Sequence, residues 1–350
     1  MNERWKHRPE GSTWGDFGAD DQLGRLNLLT PEKVRQGAAE IKEGLAFCLS
    51  LPLDYPGGNI LNERRHPPEL SPTLRGQEQN FAYPLDRVED GVVDVVCDDR
   101  VAITLQYSSQ WDALSHVGAR FDVNGDGVTE KVFYNGYRAD RDVTGPVAYE
   151  NGNVVELGPH QGATALGIDN YAAKPVQGRG VLLDLHAHVG RERVLLGYDD
   201  IMRICQADGV EVESGDMLLL HTGFAELILE MNRQPDKQAL ESSCACLDGR
   251  DERLLQWISD IGIAALCADN YAVEAHPARD PEPGSATADR SLPLHHHCLF
   301  KLGLPLAELW YLTDLAAWLR QNGRNRFMLT APPLRLPRAV GSPVTPVATV

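Results

Sequence analysis

Short apolar runs bounded by glycine or aspartate alternate along the chain with segments of helical periodicity. The apolar runs predict strands at residues 101–107, 181–185, 217–221, 263–267 and 327–330. Apolar residues that recur every three or four positions predict helices at residues 31–44, 199–206, 251–259 and 314–319. Thr30 and Thr313 would cap two of these helices, and Pro31 stands at a first helical position. Interleaved strands and helices indicate an α/β fold.

A single domain over residues 1–350 is the simpler prediction for this chain. The sequence has no internal repeat or low-complexity tract, and its Pro/Gly-rich stretches are typical of long loops rather than linkers. Residues 1 to about 24 form an N-terminal arm that carries Trp5, Trp14 and Phe17. We expect this arm to bury its aromatic rings against a partner subunit.

Composition and charge exclude several classes of partner. The chain has 33 Lys and Arg against 50 Asp and Glu, a formal net charge of −17, which repels nucleic acid and anionic lipid. No apolar run approaches the roughly 18 residues of a membrane span, and the charged start does not resemble a secretory leader. We therefore expect a cytoplasmic protein that binds neither nucleic acid nor membrane. Its seven cysteines form no C-x-x-C pair and are expected to be buried thiols.

Two short motifs could hold a metal ion, but each has a simpler alternative. His186 and His188 end a predicted strand, where a period of two would put both imidazoles on one side. Residues 122–127 match the first half of a calcium loop, yet Phe133 stands where the bidentate glutamate belongs, which favours an Asn/Gly-rich turn. A serine hydrolase is disfavoured because the chain has no G-x-S-x-G motif.

Residues 106–116 and 295–308 contain the strongest candidates for chemistry. The first segment is dense in amides, a carboxylate and an imidazole, which are costly to bury unless they are paired or bind something. The second begins with His295, His296 and His297, whose rings would point in different directions on a helix. Glu308 follows His296 by twelve residues. A histidine and a glutamate can together serve one hard or borderline metal ion.

The first of these segments resembles the signature of the metal-dependent cyclase/hydrolase superfamily, which includes kynurenine formamidases and isatin hydrolases. Its pattern is H-x-G-T-H-x-D-x-P-x-H. Asp112 and His116 match this pattern, whereas Gln106 and Gln110 stand at histidine positions. The resemblance extends over nearly the whole chain. The chain is similar to the long-chain branch of the superfamily, which includes enzymes like trans-dienelactone hydrolase. The resemblance rests further on residues 14–16, 21–24, 26–32, 178–184, 215–216, 222–223 and 341–344.

The resemblance implies a swivelling β/β/α domain and a metal-dependent hydrolase that opens a small lactone or cyclic amide by metal-activated water. His116 would transfer the proton, because imidazole titrates near neutral pH. Amide oxygens are harder and weaker ligands than imidazole, so the two glutamines lower zinc affinity and favour manganese. Both Mn²⁺ and Zn²⁺ remain candidates. The implied metal ligands are Gln106, Gln110, Asp112, His296 and Glu308.

Other side chains are expected beside the metal or the substrate. These are Trp111, His221, Asp269, Glu274 and His295. A satisfied core histidine is the alternative for His221, and a capped turn is the alternative for Asp269 and Glu274. The expected ligand is a small molecule, for which a carboxylate-bearing lactone is suitable because residues 64–66 (Arg-Arg-His) could attract an anion.

The resemblance also implies a homodimer or homotetramer. Two alternative functions stay open at this point. One is a non-catalytic relative that binds a small molecule through a degraded metal site, and the other is a formamidase or amidase of the same superfamily.

Overall fold

A nine-stranded mixed sheet that curls into a half-barrel forms the centre of the computed structural model, which describes residues 4–150, 152–158 and 161–350. The order of the strands across the sheet is β1-β9-β7-β3-β4-β5-β6-β2-β8. The predicted α/β class is confirmed. In chain order the strands are β1 (Ala46–Cys48), β2 (Gln110–Asp112), β3 (Gln177–Asp184), β4 (Met217–His221), β5 (Ala265–Ala268), β6 (Leu306–Glu308), β7 (Arg326–Thr330), β8 (Gly341–Pro343) and β9 (Val347–Thr349).

The four central strands, β3 to β6, run parallel, and antiparallel strands flank them on both sides. These central strands are almost wholly buried, which explains why β3, β4 and β5 overlap apolar runs in the sequence. On one flank, β2 pairs with β6 in a register that sets Gln110 opposite Glu308 and Asp112 opposite Leu306. This pairing brings together two segments that lie far apart in sequence.

Helices pack around the sheet, and Gly37 of α1 shows how closely. A Cβ atom at Gly37 would meet the Gly178 carbonyl oxygen at 2.6 Å, so α1 can lie directly on β3 only with glycine there. The helices are α1 (Pro31–Ala39), α2 (Asp169–Ala173), α3 (Leu185–Val189), α4 (Tyr198–Asp208), α5 (Phe224–Glu230), α6 (Lys237–Glu241), α7 (Glu252–Ile261), α8 (Pro293–His295) and α9 (Thr313–Gln321). Three 3-10 turns (Gly24–Leu28, Leu85–Arg87 and Tyr134–Gly136) and one π-helical segment (His296–Leu302) complete the set. None of the described helices is long and apolar enough to cross a membrane.

Short strand pairs outside the main sheet occupy much of residues 69–163, and one further pair joins two loops later in the chain. The antiparallel pairs are Glu69–Pro72 with Asp99–Ala102, Leu74–Arg75 with Glu78–Gln79, Tyr83–Pro84 with Val95–Val96, Ala119–Phe121 with Glu130–Val132, Val143–Thr144 with Gly162–Ala163, and Val147–Glu150 with Asn153–Glu156, while Leu195–Leu196 pairs with Cys246–Leu247 in parallel.

Three local predictions need correction. The strand predicted at 101–107 is shorter and exposed, because only Asp99–Ala102 is extended there. Thr313 is the first residue of α9 rather than its cap. The chain does not stay extended after Asp184, because the Asp184 side chain accepts the Ala187 N–H and starts α3.

That turn separates the two histidines of the H-x-H motif. His188 Nε2 lies 2.9 Å from the carboxylate of Asp208, whereas the His186 ring packs against His221 at 5.5 Å. The two imidazoles therefore do not share one strand face. In the other weak motif, the Asp122 carboxylate accepts backbone N–H groups of the following residues, as the turn interpretation predicts.

The N-terminal arm packs at least partly on its own chain. Trp14 is fully buried, its indole N–H donates to the Phe300 carbonyl at 2.7 Å, and its ring meets Phe300 edge-on. This ring is therefore not available to a partner subunit, contrary to our expectation. All seven cysteines are free thiols, and two of them, Cys48 and Cys97, are exposed rather than buried.

Candidate metal centre

Three buried side chains from three parts of the chain converge on one face of the β2–β6 strand pair. Asp112 ends β2, Glu308 ends β6, and His295 ends α8, and each offers an atom within 4.8 Å of the others. His295 Nε2 lies 3.2 Å from Glu308 Oε1 and 3.9 Å from Asp112 Oδ2. Two carboxylates and an imidazole at these distances are a typical donor set for a divalent cation.

Glu274 fixes the position of His295. One oxygen of its carboxylate accepts the Leu294 N–H, and the other accepts both the His295 N–H and Nδ1 of the same imidazole at 2.8 Å. Because a carboxylate only accepts, Nδ1 is the donor and Nε2 is the atom that faces the cluster. Histidines that bind metal ions commonly have such a carboxylate behind them. The sequence predicted Glu274 as a supporting residue, and in the structure its carboxylate contacts His295.

The cluster contains buried oxygen atoms that have no hydrogen-bond partner. Gln110 Nε2 donates to Glu308 Oε2 at 3.1 Å, but Gln110 Oε1 has no hydrogen bond within the described residues. The same holds for both carboxylate oxygens of Asp112, although this residue is fully buried. Burying such atoms without partners is unfavourable. A cation would satisfy them, so the residues present fit a metal ion.

The charges in the cluster oppose one another. Burial raises the pKa of Asp112, and the Glu308 charge raises it further against the effect of His116. Burial would also raise the pKa of Glu308, but hydrogen bonding with His295 outweighs it and lowers that pKa. Burial disfavours the charged form of His295, yet hydrogen bonds to Glu274 and Glu308 prevail and raise its pKa to about 10. Three buried carboxylates, those of Asp112, Glu274 and Glu308, therefore surround the His295 imidazole.

Three further residues lie at the more open side of the cluster. His116 Nε2 is 3.7 Å from Asp112 Oδ1, and its side chain is 22% exposed, so solvent can reach it. Gln106 is half-buried, with its amide against Gly341, the strand neighbour of Asp112. Arg65 donates from Nη1 to the Gln106 carbonyl at 2.8 Å and lowers the pKa of Asp112.

His296 does not lie beside the carboxylates, and the predicted register is off by one residue. Its ring packs on Phe300 with 4.8 Å between ring centroids, while His297 Nε2 lies 2.9 Å from Ser259 Oγ. Successive helical residues point about 100° apart, so only one of three adjacent histidines can face the cluster. In the structure, the histidine that faces the cluster is His295.

His221 and Asp269 belong to a second polar cluster near the ends of β3 to β5. His221 Nδ1 is 2.8 Å from Asp184, and Asp269 accepts N–H groups of Thr222 and Gly223 and the Thr222 hydroxyl. Within the described residues neither contacts Asp112, His295 or Glu308 by a hydrogen bond or ion pair. The core-histidine and capped-turn alternatives describe their positions.

Trp111 supports the site from the opposite face of its strand. Side chains alternate along β2, so Trp111 points away from Gln110 and Asp112. Its indole N–H donates to the Ala331 carbonyl at 2.8 Å, and its ring packs edge-on against Trp310. Sequence reasoning missed Tyr171, whose hydroxyl donates to the Asp112 carbonyl at 3.3 Å. No local pattern signals a contact between residues so distant in sequence.

Comparisons with known proteins place this geometry in context. A family model described as "Putative cyclase" matches residues 48–275. A crystal structure of a protein described as a novel cyclase is 28% identical, with a TM-score of 0.72, and the alignment covers 97% of this chain and 97% of that chain. This likeness confirms the predicted fold. A comparison with curated protein sequences finds no match.

Two isatin hydrolases have a similar fold at low sequence identity. Isatin hydrolase A from Labrenzia aggregata, bound to benzyl benzoate, is 12% identical with a TM-score of 0.54, and the alignment covers 91% of this chain and 98% of that chain. Isatin hydrolase A from Ralstonia solanacearum is 14% identical with a TM-score of 0.53, over 91% of this chain and 97% of that chain.

Proposed function

This chain belongs to the cyclase family, and from that premise we propose that it is a metal-dependent hydrolase that opens a small lactone or a cyclic amide. The observation that carries the proposal is the convergence of Asp112, His295 and Glu308 around buried oxygens without hydrogen-bond partners. A folded chain tolerates such an arrangement when a bound ion satisfies it.

The proposed metal ligands are His295 Nε2 and the carboxylates of Asp112 and Glu308, with Gln110 Oε1 as a fourth donor. This set has one nitrogen and several oxygens, which favours Mn²⁺ over Zn²⁺. Gln106 lies at the open side and stays a candidate for a further ligand. His296 is no longer proposed.

A divalent cation held there would polarise the substrate carbonyl and lower the pKa of water. The residues around the cation transfer the proton and stabilise the charge that forms. His116 is the one imidazole of the site with partial exposure, and it takes the proton from water and delivers it to the leaving oxygen or nitrogen. The hydroxyl adds to the carbonyl carbon as the ring C–O or C–N bond breaks. Asp112, 3.7 Å from His116, stabilises the imidazolium that forms.

The two substrate types have separate support. A lactone follows from the resemblance to the branch with trans-dienelactone hydrolase, and the Arg65 cation beside the cluster suits a substrate that also carries a carboxylate. A cyclic amide follows from the isatin hydrolases, since isatin is itself a cyclic amide. The same catalytic groups serve both ring openings.

We further propose that the chain acts as one domain and assembles as a homodimer or homotetramer. The single-domain proposal is supported by the main sheet, in which β1 near the start of the chain pairs with β9 at its end. Light scattering of the purified protein would measure the oligomeric state directly.

The decisive experiment is elemental analysis of protein purified without chelator, compared with Asp112→Ala and with the exposed-site control Asp260→Ala. We expect about one Mn or Zn per chain in the wild type and the control, and none in Asp112→Ala. Turnover of a panel of lactones and cyclic amides should stop with chelator and return with Mn²⁺ or Zn²⁺. Wild-type protein that stays metal-free after soaking would instead favour a non-catalytic binding protein.

A further inference from the structure

Residues 69–102 form a ribbon of short paired strands outside the main sheet. The base of this ribbon is the pair of Glu69–Pro72 with Asp99–Ala102, and all four residues of the second strand are exposed. Successive side chains of a strand point to opposite faces, so neither face of Asp99–Ala102 is covered by the rest of the chain. The ribbon therefore projects into solvent.

Hydrogen bonds around Asn80 hold the ribbon in a defined shape. Asn80 is buried, its Nδ2 donates to Asp98 Oδ2 at 2.6 Å, and its Oδ1 accepts from Arg75 Nε at 3.2 Å. The Asp98 N–H donates to the Asn80 carbonyl and the Thr73 N–H donates to the Asp98 carbonyl, both at 2.9 Å. The ribbon is thus an ordered element whose centre is polar.

Large apolar side chains of the ribbon face outward. Leu70 lies directly opposite Val101 in the strand register, and the two residues are 73% and 53% exposed. Side chains directly opposite each other in antiparallel strands lie on the same face, so these two form one apolar patch. Val93 and Val95 are exposed further along the ribbon. A polar centre with apolar side chains outside is the reverse of the usual arrangement.

Such a ribbon is expected to pack against another surface. Two-stranded antiparallel pairs are only marginally stable in water by themselves. Contiguous exposed apolar side chains are typical of a contact surface. A stable protein interface uses about 20 to 30 residues a side, and the ribbon is longer than that. It is therefore large enough to form most of one side of an interface.

The charge of the ribbon indicates which surface fits it. The ribbon contains eight Asp and Glu residues against three Arg and no Lys. This excess of negative charge repels nucleic acid, anionic lipid and a second ribbon of the same sequence. A surface that covers the ribbon must therefore be both apolar and basic.

The same chain carries such a surface in residues 332–338, which we call the basic loop. Its two leucines, Leu334 and Leu336, and its two arginines, Arg335 and Arg338, are all exposed. Residues 331–350 contain no Asp or Glu, although the chain has a net charge of −17. The Leu334 N–H donates to Ser342 Oγ at 3.0 Å, which attaches the loop to β8. The basic loop thus complements the ribbon in both polarity and charge.

We infer that the ribbon of one copy of this chain packs on the basic loop of a second copy. Both surfaces are exposed in the single chain, so they do not cover each other within it. In a two-fold dimer the contact occurs twice, because each copy supplies one ribbon and one basic loop. The patch of Leu70 and Val101 meets the two leucines, and acidic side chains of the ribbon meet the two arginines. The inference does not depend on the hydrolase function.

Sedimentation velocity of the full-length protein, over a series of concentrations up to the micromolar range, tests this contact. The wild type should have at least twice the 38.6 kDa mass of one chain. Arg335→Glu combined with Arg338→Glu should weaken the association at least about 100-fold, because like charges then face each other. Adding Asp94→Lys and Asp99→Lys to that protein should restore most of the association. Arg203→Glu, at an exposed position on α4, should behave as the wild type and serves as the control.

A second variant, Leu70→Ser combined with Val101→Ser, tests the apolar part of the contact without changing charge. Both side chains are exposed, so the circular dichroism spectrum should stay unchanged while the assembly dissociates. A wild type that sediments as a single chain would overturn the inference. So would assembly that persists in either folded variant, or a combined charge reversal that restores nothing.

The proposed hydrolase function is tested separately, by chelator-sensitive turnover. An assembled protein without turnover would count against catalysis alone. An active protein that sediments as a single chain would count against the ribbon contact alone.

Discussion

The imidazole of His295 donates from Nδ1 to the Glu274 carboxylate across 2.8 Å, and this contact directs Nε2 toward Glu308. Glu274 also accepts the backbone N–H of His295, so it fixes both the helix end and the ring. The residue that most strongly determines the geometry of the proposed centre is thus one that would not touch the metal ion itself.

Replacing Glu274 should therefore weaken metal binding without removing a ligand. In Glu274→Ala we expect the affinity for Mn²⁺ or Zn²⁺ to fall by about 10- to 100-fold, because the His295 ring loses its orientation. Competition with a chromogenic chelator measures this affinity. Glu274→Gln keeps an acceptor, so its metal affinity should lie between those of the wild type and Glu274→Ala. The metal affinity of the exposed-site control Glu252→Ala should match that of the wild type. Unchanged affinity in a folded Glu274→Ala protein would contradict the assignment.

A pair of adjacent histidine variants tests the register of the proposed centre. His295→Asn removes the imidazole that lies within 4.8 Å of ligand atoms of both Asp112 and Glu308, so metal content should be lost. His296→Asn changes a ring that packs on Phe300, so metal content should persist. Metal analysis of both proteins, with circular dichroism as a folding control, distinguishes the two. Loss of metal in His296→Asn but not in His295→Asn would instead support His296, twelve residues before Glu308, as the metal ligand.

The sequence predicted most of the parallel strands at the centre of the sheet, because strands that are buried on both faces are rich in apolar residues. The apolar run at 217–221 coincides with β4, and those at 181–185 and 327–330 overlap β3 and β7. The run at 101–107 misled because apolar residues there lie on an exposed strand pair instead. The buried strand, β2, is polar and was not predicted.

The site could be predicted only up to the limits of local information. Asp112 and Glu308 were identified from a resemblance, but which of three adjacent histidines joins them depends on where α8 begins. That start depends on Glu274, which accepts backbone N–H groups across about twenty residues of chain. Long-range contacts of this kind leave no periodic pattern in the sequence.

Asp112→Asn should separate stability from metal binding. Burial and the Glu308 charge outweigh the opposing effects of His116 and His295 and raise the pKa of Asp112, whose carboxylate has no hydrogen bond in the described chain, so neutralising it should raise the free energy of unfolding of metal-free protein by about 1 to 3 kcal/mol. Added Mn²⁺ should stabilise the wild type and leave the variant unchanged. Thermal unfolding of the wild type and the variant, each with chelator and with metal, measures the four stabilities. A less stable variant under chelator would show that the contacts of Asp112 with His116 and His295 outweigh the cost of its burial.

The two glutamines should differ in their effect on the metal. Gln110 is fully buried, with an unpartnered Oε1 beside the carboxylates, whereas Gln106 is half-buried at the open side. We expect Gln110→Ala to lower metal affinity by about tenfold or more and Gln106→Ala to change it less. Isothermal titration with Mn²⁺ compares them. If Gln106→Ala has the larger effect, then its amide reaches the ion in the loaded protein.

His221 should make stability depend on pH at a distance from the proposed metal centre. Burial opposes its charged form, but Asp184 at 2.8 Å and Asp269 at 4.0 Å prevail and raise its pKa. A raised folded-state pKa adds stability that is complete below the ordinary value and is lost as pH rises through the folded value.

We therefore expect His221→Gln to cost about 1 to 3 kcal/mol near pH 6 and less near pH 9, because the stability that the charged imidazole adds is lost as pH rises through its folded-state pKa. Urea unfolding at the two pH values, with the exposed His66→Gln as the matched control, measures the difference. A cost that stays constant between these pH values would mean that His221 acts through packing alone, and that its contacts with Asp184 and Asp269 do not favour a charged ring.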